Sequence, residues 1–301
     1  MPTVLITGTS TGFGRVSHGT ALAARGWRVF ATMRDLARKG SLERALRDAG
    51  PLRARSPLCS STSPAPLSIE AAVKSILAAD RQHAPMRSCT MPALPLPACL
   101  KICPTPIFRR VMETNFFGVL NLTRALLPIF REQRRGRIVL LSSQAAFAGQ
   151  PGNSMYCASK WALEGWAESL AYEVDPFGID VVLIEPGPYR TEIWNSTKWV
   201  VPSDSAYLSW LKLLRHAADR HQAKTSRDPK EVALVVGKAL EARRPRFRYQ
   251  VGLLRQAGLL PPRQDADEAH PQGHHALSRP SAGKVVVVPF TCARAERPLP
   301  R

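Results

Sequence analysis

Residues 4–15 read VLITGTSTGFGR, a short apolar run followed at once by Gly8, Gly12 and Gly14 and then by a helical pattern. A strand that turns on glycines into a helix lets the backbone approach a ligand closely, and the helix amides then face an anion such as a pyrophosphate. Such a unit constrains the fold strongly. It belongs to a parallel α/β sheet, in which ligands lie beyond the carboxyl ends of the strands. Alone it also fits an ordinary loop, so the rest of the chain has to decide.

The second informative stretch is SQAAFAGQPGNSMYCASK, Ser143 to Lys160. Apolar residues Trp161, Leu163, Trp166, Leu170 and Val174 follow at helical spacing, which puts Tyr156 and Lys160 on one helix face. A phenol of pKa ~10 is a poor acid or base at neutral pH, and a neighbouring ammonium favours its phenolate. A Tyr and a Lys so spaced are also a common surface pair. Ser143, thirteen residues before Tyr156, and Asn115 in METNFFG make the joint pattern specific.

Taken together, these residues resemble the short-chain dehydrogenase/reductase family. TGxxxGxG, the helix asparagine, the strand-end serine and YxxxK occur in its order and spacing. The branch holding the estrogenic 17β-hydroxysteroid dehydrogenases and the retinol dehydrogenases is most similar, through FATMRDLARKG, YCASKWALEGWAESLA, PFGIDVVLIEPGP and Thr191. The resemblance implies a Rossmann-type, doubly wound, mostly parallel sheet with helices on both faces, and an NAD(P)-dependent oxidoreductase acting on CH–OH groups. It implies that Tyr156 moves the proton, that Ser143 hydrogen-bonds the substrate oxygen, and that Lys160 lowers the tyrosine pKa and holds the nicotinamide ribose. Asn115 would bend its helix and support a water behind the lysine. Gly8, Ser10, Gly12, Phe13 and Gly14 would cradle the cofactor together with Asn115, Tyr156 and Lys160, while Pro186, Gly187 and Thr191 would line its nicotinamide and phosphate side. For Thr191 an ordinary helix N-cap is an equally simple reading.

Arg34 ends the second strand, Trp27 to Met33, where a carboxylate would accept from ribose hydroxyls and an arginine pairs with a 2′-phosphate. It points to NADP(H); the adjacent Asp35 keeps NAD(H) open, and a plain surface cation is the bland alternative. The resemblance implies an apolar steroid-, retinoid- or ketone-like substrate and homo-oligomerisation through the long helices. The aromatic stretch from Ile193 to Thr225, with Trp194, Trp199, Tyr207 and Trp210, is either a cover over such a ligand or simply core.

The formal charge of +19 raises nucleic acid as a partner. Its distribution argues otherwise: residues 45–110 hold nine Lys/Arg against three Asp/Glu, outside the motifs, and no recognition helix or basic repeat occurs. No run of 18 apolar residues and no basic-then-apolar N-terminus is present, so no membrane span is expected and the chain reads as cytoplasmic. The six cysteines form no regular framework, and Cys99 with Cys103 lacks the two further ligands a zinc site needs, so no metal is expected.

Between Gly50 and about Pro106 the pattern breaks. A third strand and a fourth ending in Asn-Asn-Ala-Gly or a close variant are expected there. The chain instead reads SPLCSSTSPAPLS and QHAPMRSCTMPALPLPACLKICPTP, and such proline content disfavours central strands. Taking the third base of each codon with the first two of the next, Ser88 to Phe108 can be read as V-H-N-A-G and later G-L-P-E-D-L-P-D-A-D-F. We therefore read 50–106 as frame-shifted within a Rossmann-type domain of residues 1–252, and 253–301, rich in Pro and polar residues, as a disordered tail. If the segment is genuine, the alternative is a catalytically impaired relative that binds nucleotide or a protein partner without turnover.

Overall fold

The structure is a computed structural model and describes residues 2–9, 12–14, 22, 25–33, 37, 39–48, 58–60, 66–79, 86–90, 105–191 and 204–252. Seven strands make one sheet: β1 Thr3–Ile6, β2 Arg28–Met33, β3 Leu58–Ser60, β4 Met86–Thr90, β5 Gly136–Leu141, β6 Ile179–Pro186 and β7 Arg248–Val251. Their order is β3-β2-β1-β4-β5-β6-β7, and every neighbouring pair is parallel. The chain winds outward one way from β1 to β3, then returns to β4 and winds the other way. The crevice between β1 and β4 is the switch point at which such sheets take ligands.

The helices are α1 Lys39–Asp48, α2 Pro66–Ala79, α3 Thr105–Met112, α4 Gly118–Glu132, α5 Ser154–Val174, α6 Leu208–Thr225 and α7 Lys230–Glu241. Alternation along the strands divides the core in two. Ile138, Leu140, Val181 and Leu183 face Leu122 and Leu126 of α4 and Leu163, Ala167 and Leu170 of α5. Val139, Leu141, Val182 and Ile184 face the opposite side with Val232, Val236 and Leu240 of α7. Strands apolar on both faces suit a sheet covered on both sides, each large side chain contributing roughly 1.5–3 kcal/mol on burial.

One expectation is corrected. The anomalous segment does supply a third and a fourth strand: β3 pairs with the end of β2 from Ala31↔Leu58 to Met33↔Ser60, and β4 lies between β1 and β5. The five residues of β4, Met86–Thr90, include no proline. Ser88, Cys89 and Thr90 are small and buried, so the strand fits between its neighbours. A π-helical turn, Glu113–Phe117, which includes Asn115, lies between α3 and α4. Residues 253–301 lie outside the described residues.

Candidate active site

The glycine-rich turn leaves β1 with Gly8 at φ 70° and Gly12 at φ 58°, left-handed conformations that a side chain disfavours. Gly14 has a different reason. A Cβ there would stand 2.3 Å from the Gly8 carbonyl oxygen, so only hydrogen allows the turn to close on itself. Thr9, fully buried, donates its hydroxyl and its amide to the Thr32 carbonyl, which ties the turn to β2. Phe13, half-buried, packs its ring edge-on against Tyr189 at 5.7 Å. Ser10 and Arg34 lie outside the described residues.

At the other side of the crevice β6 ends at Pro186, and Gly187 follows. A Cβ on Gly187 would meet the Gln144 amide oxygen at 2.7 Å, and its own amide donates to the Val251 carbonyl. Thr191 lies 3.9 Å from the position of a Cβ on Gly12, so the two cofactor-side segments predicted from sequence do converge. Tyr189 anchors this loop: its ring is buried and its hydroxyl donates to Glu231 at 3.0 Å. Arg227 holds the same carboxylate and lowers its pKa, while burial and that carboxylate raise the Tyr189 phenol. Thr9, Gln144, Tyr189 and Glu231 carry no motif of their own and were missed in the sequence.

Between these segments, beyond β5, the structure brings together Ser143, Tyr156 and Lys160. Ser143 caps the short 3₁₀ turn Gln144–Ala146, accepting from the Ala145 amide at 3.2 Å, and its hydroxyl lies near enough to the Tyr156 phenol to lower its pKa. Its neighbour Ser142 is buried, which settles which serine faces the crevice. Tyr156 keeps part of its surface accessible, although protein atoms crowd the phenol. Lys160 is 1% exposed, donates to the Leu141 carbonyl at 2.7 Å, and holds its ammonium 5.8 Å from the centre of the Tyr156 ring. Asn115 sits in the π turn, fully buried, and donates its amide to the Ser159 hydroxyl at 3.0 Å. A π turn inserts one extra residue and turns a helix-interior side chain toward a neighbour.

Burial raises the Tyr156 phenol above its ordinary value, Ser143 pulls it down, and Cys157 pushes it up again. Lys160 is itself brought down to about 8 by burial, with the Glu164 carboxylate opposing that fall. Ser143 favours the phenolate, and the Lys160 ammonium donates to the Leu141 carbonyl beside it. Of the aromatic stretch, Leu211 packs inward whereas Tyr207 and Trp210 are 43% and 53% exposed; 192–203 lie outside the described residues. Among the described residues no group of His, Cys, Asp or Glu is placed to hold a metal, and no helix is long and apolar enough to cross a membrane.

A parallel sheet that closes on glycines after β1 and gathers a serine, a tyrosine and a buried lysine beyond β5 defines a class, the Rossmann-type NAD(P)-dependent oxidoreductases. The family model of the short chain dehydrogenases matches residues 95–199. Retinol dehydrogenase 8 of Bos taurus is 33% identical over 266 residues, covering 82% of this chain and 80% of that protein. The chain belongs to the short-chain dehydrogenase family. Another relative, the human 17-beta-hydroxysteroid dehydrogenase type 1, is 31% identical over 82% of this chain and 76% of its own length. The match to the uncharacterized oxidoreductase YusZ of Bacillus subtilis is 40% identical but spans about half of each protein, 50% of this chain and 55% of the relative. Among solved structures, a short-chain dehydrogenase from Streptomyces avermitilis superimposes with a TM-score of 0.68 at 30% identity, covering 83% of this chain and 88% of that one.

Proposed function

We propose that the chain interconverts a carbonyl and an alcohol on an apolar steroid-, retinoid- or ketone-like substrate, with NADP(H) preferred over NAD(H). The observation that carries the reading is the grouping of Ser143 and Tyr156 beside a buried Lys160, whose ammonium stands 5.8 Å from the centre of the Tyr156 ring, at the carboxyl end of the sheet. The glycine cradle fits a nicotinamide dinucleotide: Gly8, Gly12 and Gly14 let the backbone approach a pyrophosphate, and Pro186, Gly187 and Thr191 bound the other end. When bound, the nicotinamide supplies or accepts a hydride.

The protein's share is the proton and the charge. Tyr156 holds the proton that the carbonyl oxygen takes up in the reducing direction, within reach of Ser143. Ser143 donates to the same oxygen as its charge develops, so that stabilisation is strongest in the transition state. Lys160, fixed by the Leu141 carbonyl and capable of turning to the ribose hydroxyls, keeps a positive charge behind the phenol. Asn115, tethered to Ser159, shapes the helix next to that lysine.

Preference for NADP(H) is supported by Arg34, the residue after β2, and by the NADPH in a similar structure, actinorhodin polyketide ketoreductase, at 25% identity and TM-score 0.64. The apolar substrate class is supported by the two mammalian relatives, named for a retinol and a hydroxysteroid. A cytoplasmic location and assembly into a homo-oligomer belong to the same reading. The test is oxidation of NADPH and NADH against a panel of retinals, ketosteroids and simple ketones. Turnover with NADPH favoured, lost in Tyr156→Phe while NADPH still binds, supports the proposal. NADPH binding without turnover in the parent protein would identify a non-catalytic relative instead.

A further inference from the structure

Behind Lys160 lies a buried group of charges that the site described above does not use. Helix α5 carries Tyr156, Lys160, Glu164 and Glu168 at successive four-residue steps, which align along one face of a helix. Arg248, at the start of β7, reaches this line from the sheet. Its Nε stands 3.4 Å from Glu164 and 3.4 Å from Glu185 of β6, and its Nη2 donates to Glu168 at 2.8 Å. The side chains of Arg248, Glu164 and Glu185 are 3%, 3% and 0% exposed, and only Glu168 opens toward solvent.

Among the described contacts, three carboxylates gather around one guanidinium deep in the fold, and Lys160 is the next cation along the helix. In such surroundings the coupling between charges is much stronger than at a surface. We propose that Glu164, fixed by Arg248, is a positioning residue that keeps Lys160 protonated over the pH range in which the site works. The proposal rests on the oxidoreductase reading only for its consequence in turnover; the coupling itself is a property of the folded protein.

Burial lowers Lys160, and Glu164 is the group that counters the fall. The titratable groups around Lys160 are Tyr156 and Glu164 on its own helix; behind Glu164 stand Glu185, Arg248 and Glu168. From β5 the lysine meets the neutral Leu141 carbonyl, and the π turn contributes the neutral Asn115 through Ser159. Among the described residues Glu164 is the carboxylate that opposes the effect of burial on Lys160, and neutralising it removes that opposition.

The experiment is a pH titration of Lys160 by ¹³C NMR in lysine-labelled protein, its signal assigned by loss in Lys160→Met, for the parent and for Glu164→Gln. The expected result is a midpoint about one unit lower in Glu164→Gln. The alkaline limb of the kcat profile should move toward acid by a similar amount, and Glu164→Asp should recover most of the shift. An unchanged or raised midpoint in Glu164→Gln overturns the proposal. Should that variant fail to fold, Glu168→Gln, at the exposed end of the group, frees more of the Arg248 charge and should lower the Lys160 midpoint by a smaller amount; no fall there overturns it equally. Because the NMR readout needs no turnover, a Tyr156→Phe protein that remains active would sink the catalytic reading and leave the Lys160 coupling standing.

Discussion

Asn115 donates its side-chain amide to the hydroxyl of Ser159 at 3.0 Å, joining the π turn before α4 to the residue next to Lys160 in α5. Ser159 in turn donates to the Tyr156 carbonyl at 2.7 Å, so the bond reaches the turn of helix that displays the phenol. Asn115→Leu removes a buried hydrogen bond and leaves the Ser159 hydroxyl its own donation to the Tyr156 carbonyl but not the bond from Asn115. A loss of about 1–3 kcal/mol is expected, read by urea denaturation, together with a fall in kcat larger than any rise in KM. Wild-type kcat in a folded Asn115→Leu protein would show that the tether does not serve the site.

Gly14→Ala should be severe. The added methyl carbon meets backbone rather than a mobile side chain, with the Gly8 carbonyl oxygen at 2.3 Å, so the turn must open. Isothermal titration with NADPH should show binding weakened by tenfold or more, whereas Gly40→Ala, at a position with open space, should bind as the parent does.

Lys160 links stability to pH. Its folded value of about 8 lies below the ordinary 10.5, so between those values the unfolded chain binds a proton that the folded chain has released. Stability therefore rises with pH across that window, by an amount on the order of 3 kcal/mol. Lys160→Met should be inactive yet more stable than the parent at pH 7, and the difference should shrink as pH approaches 10. Parallel stability curves for the two proteins would contradict this.

Arg248→Met leaves Glu164 and Glu185 buried without their guanidinium. Removing one partner from such a group costs roughly 3–5 kcal/mol, and the triple change with Glu164→Gln and Glu185→Gln should recover a large part of it. Thermal unfolding of the single and triple variants checks this at a pH where carboxylates are ionised.

Peptide mass spectrometry of the protein from its native source, across residues 81–110, tests the reading frame. The frame-shifted reading expects a peptide carrying HNAG where β4 ends. Recovery of CTMPALPLPACLK would show instead that the strand is built from Met86–Thr90 as given.

Much of this was legible in the chain because it depends on local pattern. The glycines of the first turn, the apolar runs of β5 and β6 and the four-residue step from Tyr156 to Lys160 each express a backbone requirement within a few residues. Those patterns, through the family they resemble, indicated a doubly wound sheet and the place of the site. Strands β3 and β4 were not legible, since three and five residues beside prolines become strands only when β2, β1 and β5 offer edges to pair with. Which serine faces the tyrosine, the packing of Phe13 against Tyr189 and the meeting of Arg248 with Glu164 across 84 residues are likewise decisions of packing. The same holds for the proton affinities of Tyr156 and Lys160. Spacing can put an ammonium near a phenol, but the cost of burying each group, and the carbonyl or carboxylate it finds there, exist only once the helices close over the sheet.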